Sequence, residues 1–283
     1  MKKPFKGKPR SQNPKRDDQR PAFNRDRKPP ERDRTAKQPP SNIVYGLLPV
    51  TELLKAGSRK VEKLLIAEGA REHRLREAVE IARRGGILVN VIDREKLAAL
   101  TGPDSNNQGI AAITSAAEYY TADEILDSAK EPGLFVLLDG VEDPRNVGAV
   151  LRTVECAGGD GVFIPERRAA GLTETAAKSS AGALEYVKVA KIANINRLIA
   201  ELKSRNIWVV GTDGDAKMGY TEWDWKQPSA LVMGGEGSGL HRLVAENCDV
   251  LVKIPMHGKI NSLNVSVATG VVLFEAKRQR GES

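Results

Sequence analysis

From residue 42 onward, short apolar runs alternate with longer amphipathic stretches, and that alternation predicts the elements. Helical periodicity over 49–56 precedes the strand-like KLLIAEG (63–69). A charged helix over 71–84, the strand ILVNVID (87–93), a short helix to Leu100 and the strand GIAAI (109–113) follow. Helices alternating with strands over residues 42–115 predict a small α/β/α domain. Residues 116–133 are polar with one short helix and read as a linker. A second domain, 134–283, carries the strands FVLLDGV (135–141), GVFIP (161–165), WVVGT (208–212), ALVMG (230–234) and VLVKIP (250–255), with a weaker one at YVKVA (186–190). Helices are expected over 147–157, over 195–205 and from about Ser262 to Arg278. These strands are apolar without alternation, as in a parallel sheet covered on both faces. The fold class is α/β.

Charge divides the chain differently. The net charge is +7, yet residues 1–40 hold 14 Lys/Arg against 5 Asp/Glu and 8 of the 15 prolines. The remainder is slightly acidic, with 30 basic against 32 acidic residues. Residues 1–41 lack the apolar side chains needed to offset ordering entropy, so they are expected to form a disordered basic tail. Its cations suit salt-sensitive, sequence-independent RNA binding. A solubilising tail or a targeting presequence is the rival reading, and the five acids and missing apolar stripe count against the presequence. No run approaches the roughly 20 apolar residues of a bilayer span, and no secretory h-region is visible, so a cytoplasmic protein is expected. Cys156 and Cys248 form no CxxC, and His73, His241 and His257 have no ligand spacing. That counts against a structural zinc, a redox motif or a disulfide framework.

Three blocks at strand-to-loop junctions stand out, because strand carboxyl ends are where open α/β sheets bind ligands. In DPRNVGAVLRT (143–153), Asn146 is a candidate helix N-cap. Arg152 lies on or beside the buried stripe of that helix, where a guanidinium needs a carboxylate or phosphate partner. In LVMGGEGSGL (231–240), Gly234, Gly235, Gly237 and Gly239 surround Glu236. The spacing matches neither a dinucleotide fingerprint nor a phosphate-binding GK[ST] loop, yet it lets backbone approach a ligand. A flexible turn with a helix start near Ser238 is the alternative. In IPMHGKINSLNVSVATG (254–270), Ser262 and Asn264 open the last helix, either as caps or as polar groups facing a ligand beside exposed amides. His257 lies in the same loop with nothing resembling a Ser–His–Asp arrangement near it.

NVGAVLRT, MGGEGSGL and IPMHGKINSLNVSVATG, running on as VVLFEAKRQR, resemble the three motifs of the SpoU (TrmH-type) class of SPOUT RNA 2′-O-ribose methyltransferases. The resemblance spans Asn42 to Arg280. VYGLLPVTELLKAG through NQGIAAI resembles the L30e-like RNA-binding domain of members that methylate a guanosine in the peptidyl-transferase region of 23S rRNA. It implies a deep trefoil knot in the second domain, an exception to the rule against knots. It also implies S-adenosylmethionine as cofactor, met by main chain at Gly234, Ile254 and Leu263, with Thr212, Gly214, Glu236, Gly237 and Met256 nearby. Arg152 matches the arginine that contacts the target hydroxyl, positioned by Asn146, Glu236, Ser262 and Asn264. A free guanidinium stays protonated at neutral pH. Either its site changes that, a target phosphate assists, or Arg152 acts electrostatically while water takes the proton. A homodimer with the last helix at the interface is implied, and no metal. Two rivals remain: the same chemistry on tRNA, and a non-catalytic RNA-binding or ribosome-assembly protein. Asn107 departs from the family, which often carries His there at a junction thought to face RNA.

Overall fold

The computed structural model describes residues 42–102, 105–167, 169–235, 237 and 239–281. The tail expected over 1–41, Glu236 and Ser238 lie outside the described residues.

The first sheet is built from β1 (Ile43–Tyr45), β2 (Val61–Ala67), β3 (Leu88–Ile92) and β4 (Ile110–Thr114), in the order β1-β4-β2-β3. β3 runs parallel to β2, and β4 runs antiparallel to both β1 and β2. Side chains alternate across it as the strand period requires. Leu64, Ile110 and Ala112 face α1 (Leu47–Ala56) and α2 (Glu72–Arg84), packing on Val50, Leu53, Leu75 and Ala78. Leu65, Ala67 and Ala111 turn the other way onto Leu97 of α3 (Arg94–Thr101). The α/β/α layering therefore matches the expected one. α2 is mostly charged, yet Leu75, Ala78 and Ala82 recur at helical spacing and are buried, which seats it on the sheet.

The second sheet contains β5 (Leu134–Asp139), β6 (Gly161–Pro165), β7 (Val189–Ile192), β8 (Trp208–Thr212), β9 (Met218–Gly219), β10 (Ser229–Gly234) and β11 (Val250–Lys253). Their order is β7-β6-β5-β10-β8-β11-β9, and each neighbouring pair is parallel. One face packs Val136, Leu138, Leu231 and Met233 against α5 (Pro144–Cys156) and α9 (Val265–Arg280). The other packs Phe135, Leu137, Phe163 and Val232 against α4 (Ala122–Asp127), α7 (Ile195–Ser204) and α8 (Arg242–Asn247). Both faces are covered, so the strands are apolar throughout; each such side chain fully removed from water contributes about 1.5–3 kcal/mol. α6 (Glu174–Ser179) lies so close to α5 that a Cβ on Gly148 would stand 2.7 Å from Ser179 Cβ and collide with the Ala176 carbonyl. Among the described residues no helix is long and apolar enough to cross a membrane.

Several expectations need correction. The weak strand lies at Val189–Ile192 rather than 186–190, because a 3-10 turn, Ala183–Glu185, occupies the chain just before it. α5 begins at Pro144, so Asp143 is its N-cap, with Oδ1 accepting from the Arg145 amide at 2.8 Å; Asn146 already lies inside the first turn. The last helix begins at Val265, leaving Ser262 in the preceding loop and Asn264 as N-cap. The helix after the glycine block begins at Arg242. β1 and β9, of three and two residues, are too short to show a period of their own.

Candidate active site

β10, β8 and β11 are neighbours and end on the same edge of the parallel sheet. Their carboxyl ends open into a cavity of about 870 Å³, within the usual size of a small-molecule site. Thr212 closes β8, with Oγ1 donating to the Val232 carbonyl at 3.2 Å, and Asp213 and Gly214 continue along the rim. Gly234 closes β10, and Gly235, Gly237 and Gly239 line the wall beyond it. Ile254 and Met256 follow β11, and Ser262, Leu263 and Asn264 complete the enclosure from the loop that enters α9. Met233, Val252, Val265 and Ala268 supply an apolar floor.

The glycines there have a steric reason. Gly235 and Gly239 form an isolated antiparallel bridge, folding the loop back on the end of β10. A Cβ on Gly234 would run into the Gly239 main chain. Gly237 has φ of 81°, and at Gly214 and Gly237 a Cβ would meet no atom within 4 Å, so both expose bare backbone to open space. The loop's far end is pinned to β5: buried Asp139 accepts from the His241 amide at 2.7 Å and pairs with His241 Nδ1 at 2.8 Å. That contact joins residues 102 positions apart and left no signal in the sequence.

Of the residues expected to position a target, the structure brings Asn146 and Asn264 together, with Asn264 Nδ2 donating to Asn146 Oδ1 at 2.9 Å. Asn264 Oδ1 accepts from the Ser266 amide at 3.0 Å and so caps α9. Ser262 lies on the cavity wall. Asn146 and Arg152 lie outside the cavity lining, on α5. Arg152 is exposed rather than buried, because the buried stripe of α5 runs through Val147, Val150, Leu151 and Val154. The neighbouring Thr153 packs its methyl near Gly270 of α9, where a Cβ would stand 3.5 Å away. Arg152 makes no hydrogen bond or ion pair with another described residue, and its exposure corrects the expected place on the buried stripe. His257 is exposed in the loop after β11. Asn107 is half-buried and occupied within its own loop: Nδ2 donates to Thr101 Oγ1 at 3.0 Å, and Oδ1 accepts from the Gly109 amide at 3.0 Å. Asp213, Lys253 and Asn261 also line the cavity and were not singled out from the sequence; each flanks a residue that was.

The cavity's chemistry suits an amphiphilic nucleoside. Apolar floor atoms can take a base, while bare main chain and the Thr212, Ser262 and Asn264 side chains can take polar groups. Among the described residues no cluster of three His, Cys, Asp or Glu is arranged to hold a metal. Cys156 and Cys248 are free; burial pushes the Cys248 thiol up to about 12, and Cys156, on the exposed side of α5, is also raised by desolvation.

Comparison with known proteins gives the family. The SpoU rRNA Methylase family matches residues 133–274, and the family described as RNA 2′-O ribose methyltransferase substrate binding matches residues 43–120. The chain belongs to the SpoU family. YacO of Bacillus subtilis, named a TrmH family tRNA/rRNA methyltransferase, is 42% identical over 84% of this chain and 96% of its own. The 23S rRNA (guanosine-2′-O-)-methyltransferase RlmB of Ralstonia nicotianae is 39% identical over 85% of this chain and 96% of its own. Among solved structures, the SpoU methyltransferase AviRb from Streptomyces viridochromogenes in complex with AdoMet superposes with a TM-score of 0.71, at 26% identity, over 85% of this chain and 91% of that one. The AdoMet-bound rRNA methyltransferase from Sinorhizobium meliloti gives 0.69 at 27% identity, covering 83% and 86%. As a SpoU enzyme, the protein is an S-adenosylmethionine-dependent RNA 2′-O-methyltransferase with an α/β substrate-binding domain ahead of its methylase domain.

Proposed function

We propose that the enzyme methylates the ribose 2′-hydroxyl of a guanosine in 23S rRNA, with the cavity at the ends of β10, β8 and β11 as its cofactor site. The observation that carries this reading is the convergence of Thr212, Gly214, Gly234, Gly237, Ile254, Met256 and Leu263 on one cavity, with Ser262 and Asn264 on the same wall. The relative named for 23S rRNA guanosine, alike over nearly its whole length, supports the target. S-adenosylmethionine, when bound, supplies an electrophilic methyl group on a sulfonium.

The residues' part is alignment. Bare main chain at Gly214 and Gly237 admits the cofactor closely, Gly234 lets the glycine loop close against the end of β10, and the loop from 254 to 264 encloses the site. The Asn146–Asn264 bond holds the first turn of α5 against the mouth of α9, so target-side groups on α5 stand at a fixed place relative to the cavity. Arg152, exposed on α5 and unengaged with other described residues, is available to a target phosphate or to the reacting hydroxyl. Glu236 joins this set in our reading through its place in the glycine loop. In the same reading the domains run over 42–115 and 134–283 with a linker at 116–133, and the glycine loop and the 254–264 segment form a trefoil knot. The protein works in the cytoplasm as a homodimer through α9, whose Val267 and Phe274 are about half exposed.

Labelled S-adenosylmethionine, purified protein and unmodified 23S rRNA or bulk tRNA test the proposal, with products mapped by nuclease digestion and mass spectrometry. A 2′-O-methylguanosine in 23S rRNA is the expected product. Methylation of tRNA alone would keep the chemistry and overturn the target.

A further inference from the structure

The substrate-binding and methylase domains meet at a buried ion pair that neither the cavity nor the methyl transfer requires. Arg59, just before β2, and Glu185, in the 3-10 turn, pair with side chains only 9% and 3% exposed. The contact is two-pronged: Arg59 Nε donates to Glu185 Oε2 at 2.9 Å and Nη2 to Oε1. Ser58 Oγ donates to the same Oε2 at 2.6 Å. The next residue, Tyr186, donates from its hydroxyl to Glu52 Oε2 of α1 at 2.8 Å. Gly182 lies so close to α1 that a Cβ there would stand 2.5 Å from Glu52 Cβ. Lys178 of α6 lies over the Tyr45 ring of β1, 4.7 Å from its centroid.

A buried carboxylate with three donors and a two-pronged guanidinium has one geometry, whereas two domains joined only by a tether would sample many. On the methylase side the contact is stiff as well. Leu184 and Val187, flanking the pair, belong to the same packed core as Val150 and Leu151 of α5. α5 is the helix that carries Asn146 and Arg152. A continuous path of packed groups therefore runs from the RNA-binding sheet, through Glu185, to the helix that faces the target.

We propose that Glu185 and Arg59 are positioning residues: they hold the substrate-binding domain at one distance and angle from the methyl-transfer cavity, so that RNA gripped by the first domain presents a single ribose to the second. This rests on the reading of the cavity given above. The pair contributes to selecting the site in a long RNA and leaves the cofactor pocket alone.

Full-length wild type, E185A, R59A and the charge-reversed double variant R59E/E185R test it. E185A and R59A are expected to keep the S-adenosylmethionine dissociation constant within about twofold while KM for 23S rRNA rises about tenfold or more, with additional methylated riboses in the mapped product. The double variant is expected to bring KM and the product map back toward wild type. Small-angle scattering should show E185A more extended than wild type. Wild-type KM and a single product in E185A would overturn the proposal, and so would an unchanged scattering profile. If E185A loses cofactor binding through misfolding, the double variant decides, since a folded double variant without recovered KM also overturns it. A wild-type protein that transfers no methyl group is a different failure, of the cavity's assignment, and the scattering still decides the seam.

Discussion

Asn264 Nδ2 donates to Asn146 Oδ1 at 2.9 Å, tying the N-cap of α9 to the first turn of α5 across 118 positions of chain. The same Asn264 uses Oδ1 to cap its own helix. Two roles in one side chain can be separated. Asn264→Ala removes both, and is expected to cost about 1 kcal/mol of stability together with most of the methyl transfer. Asn264→Asp keeps an acceptor for the cap but loses the donor to Asn146. It should retain wild-type stability in denaturant titration while kcat falls about tenfold or more. Equal activity in the Asp variant would remove the bridge from the mechanism.

Arg152 is exposed, so its replacement has little to disturb in the fold. Arg152→Ala is expected to change stability by no more than about 0.5 kcal/mol and to leave S-adenosylmethionine binding intact. Methyl transfer should be abolished. Arg152→Lys keeps the charge but not the planar fork, and should recover little if two-pronged contact is what matters. Near-normal turnover in Arg152→Ala, measured with labelled cofactor, would take Arg152 out of the reaction, and near-normal turnover in Arg152→Lys would show that the charge alone suffices.

Gly234 has no room for a side chain. In Gly234→Ala the new Cβ meets the Gly239 main chain, where no flexible group can yield, so the loop must move off the end of β10. The cost is expected at about 1–3 kcal/mol, and calorimetric titration should show cofactor affinity falling with it. A variant that binds the cofactor normally would show that the close approach of this loop is not needed.

Glu174 offers a pH test. Its Oε1 is buried with no partner among the described residues, and desolvation pushes its carboxyl up to about 7. The folded state thus holds a proton that the unfolded chain releases near 4.5. Between those values the folded protein binds more protons than the unfolded one, so this group's contribution to stability falls as pH rises from about 4.5 to about 7. Glu174→Gln should remove that slope, giving a higher Tm than wild type above pH 7 and little difference near pH 4.5. Parallel Tm curves for the two proteins across that range would contradict the assignment.

Much of this molecule was legible in its sequence. Short continuous apolar runs located most strands and the period-3.6 pattern the long helices, because burial on both sheet faces or along a helix stripe acts residue by residue along the chain. GVFIP and WVVGT match β6 and β8 residue for residue. The three motif blocks named the family, and the glycines and Ile254, Met256 and Leu263 do meet at one cavity. Helix starts were less legible: Asp143, Pro144 and Asn146 are all acceptable near an N-terminus, and only the backbone turn decides which residue caps.

Local chemistry, then, was set by sequence alone: α/β layering, the glycine loop and the identity of the polar residues near strand ends. Tertiary structure decided what depends on groups distant in the chain. Arg152 faces outward because α6 and α9 cover the opposite side of α5. Asp139 holds His241, and Arg59 holds Glu185, across 102 and 126 positions. No local pattern encodes such pairs, since a charged residue looks the same in sequence whether water or a buried partner satisfies it.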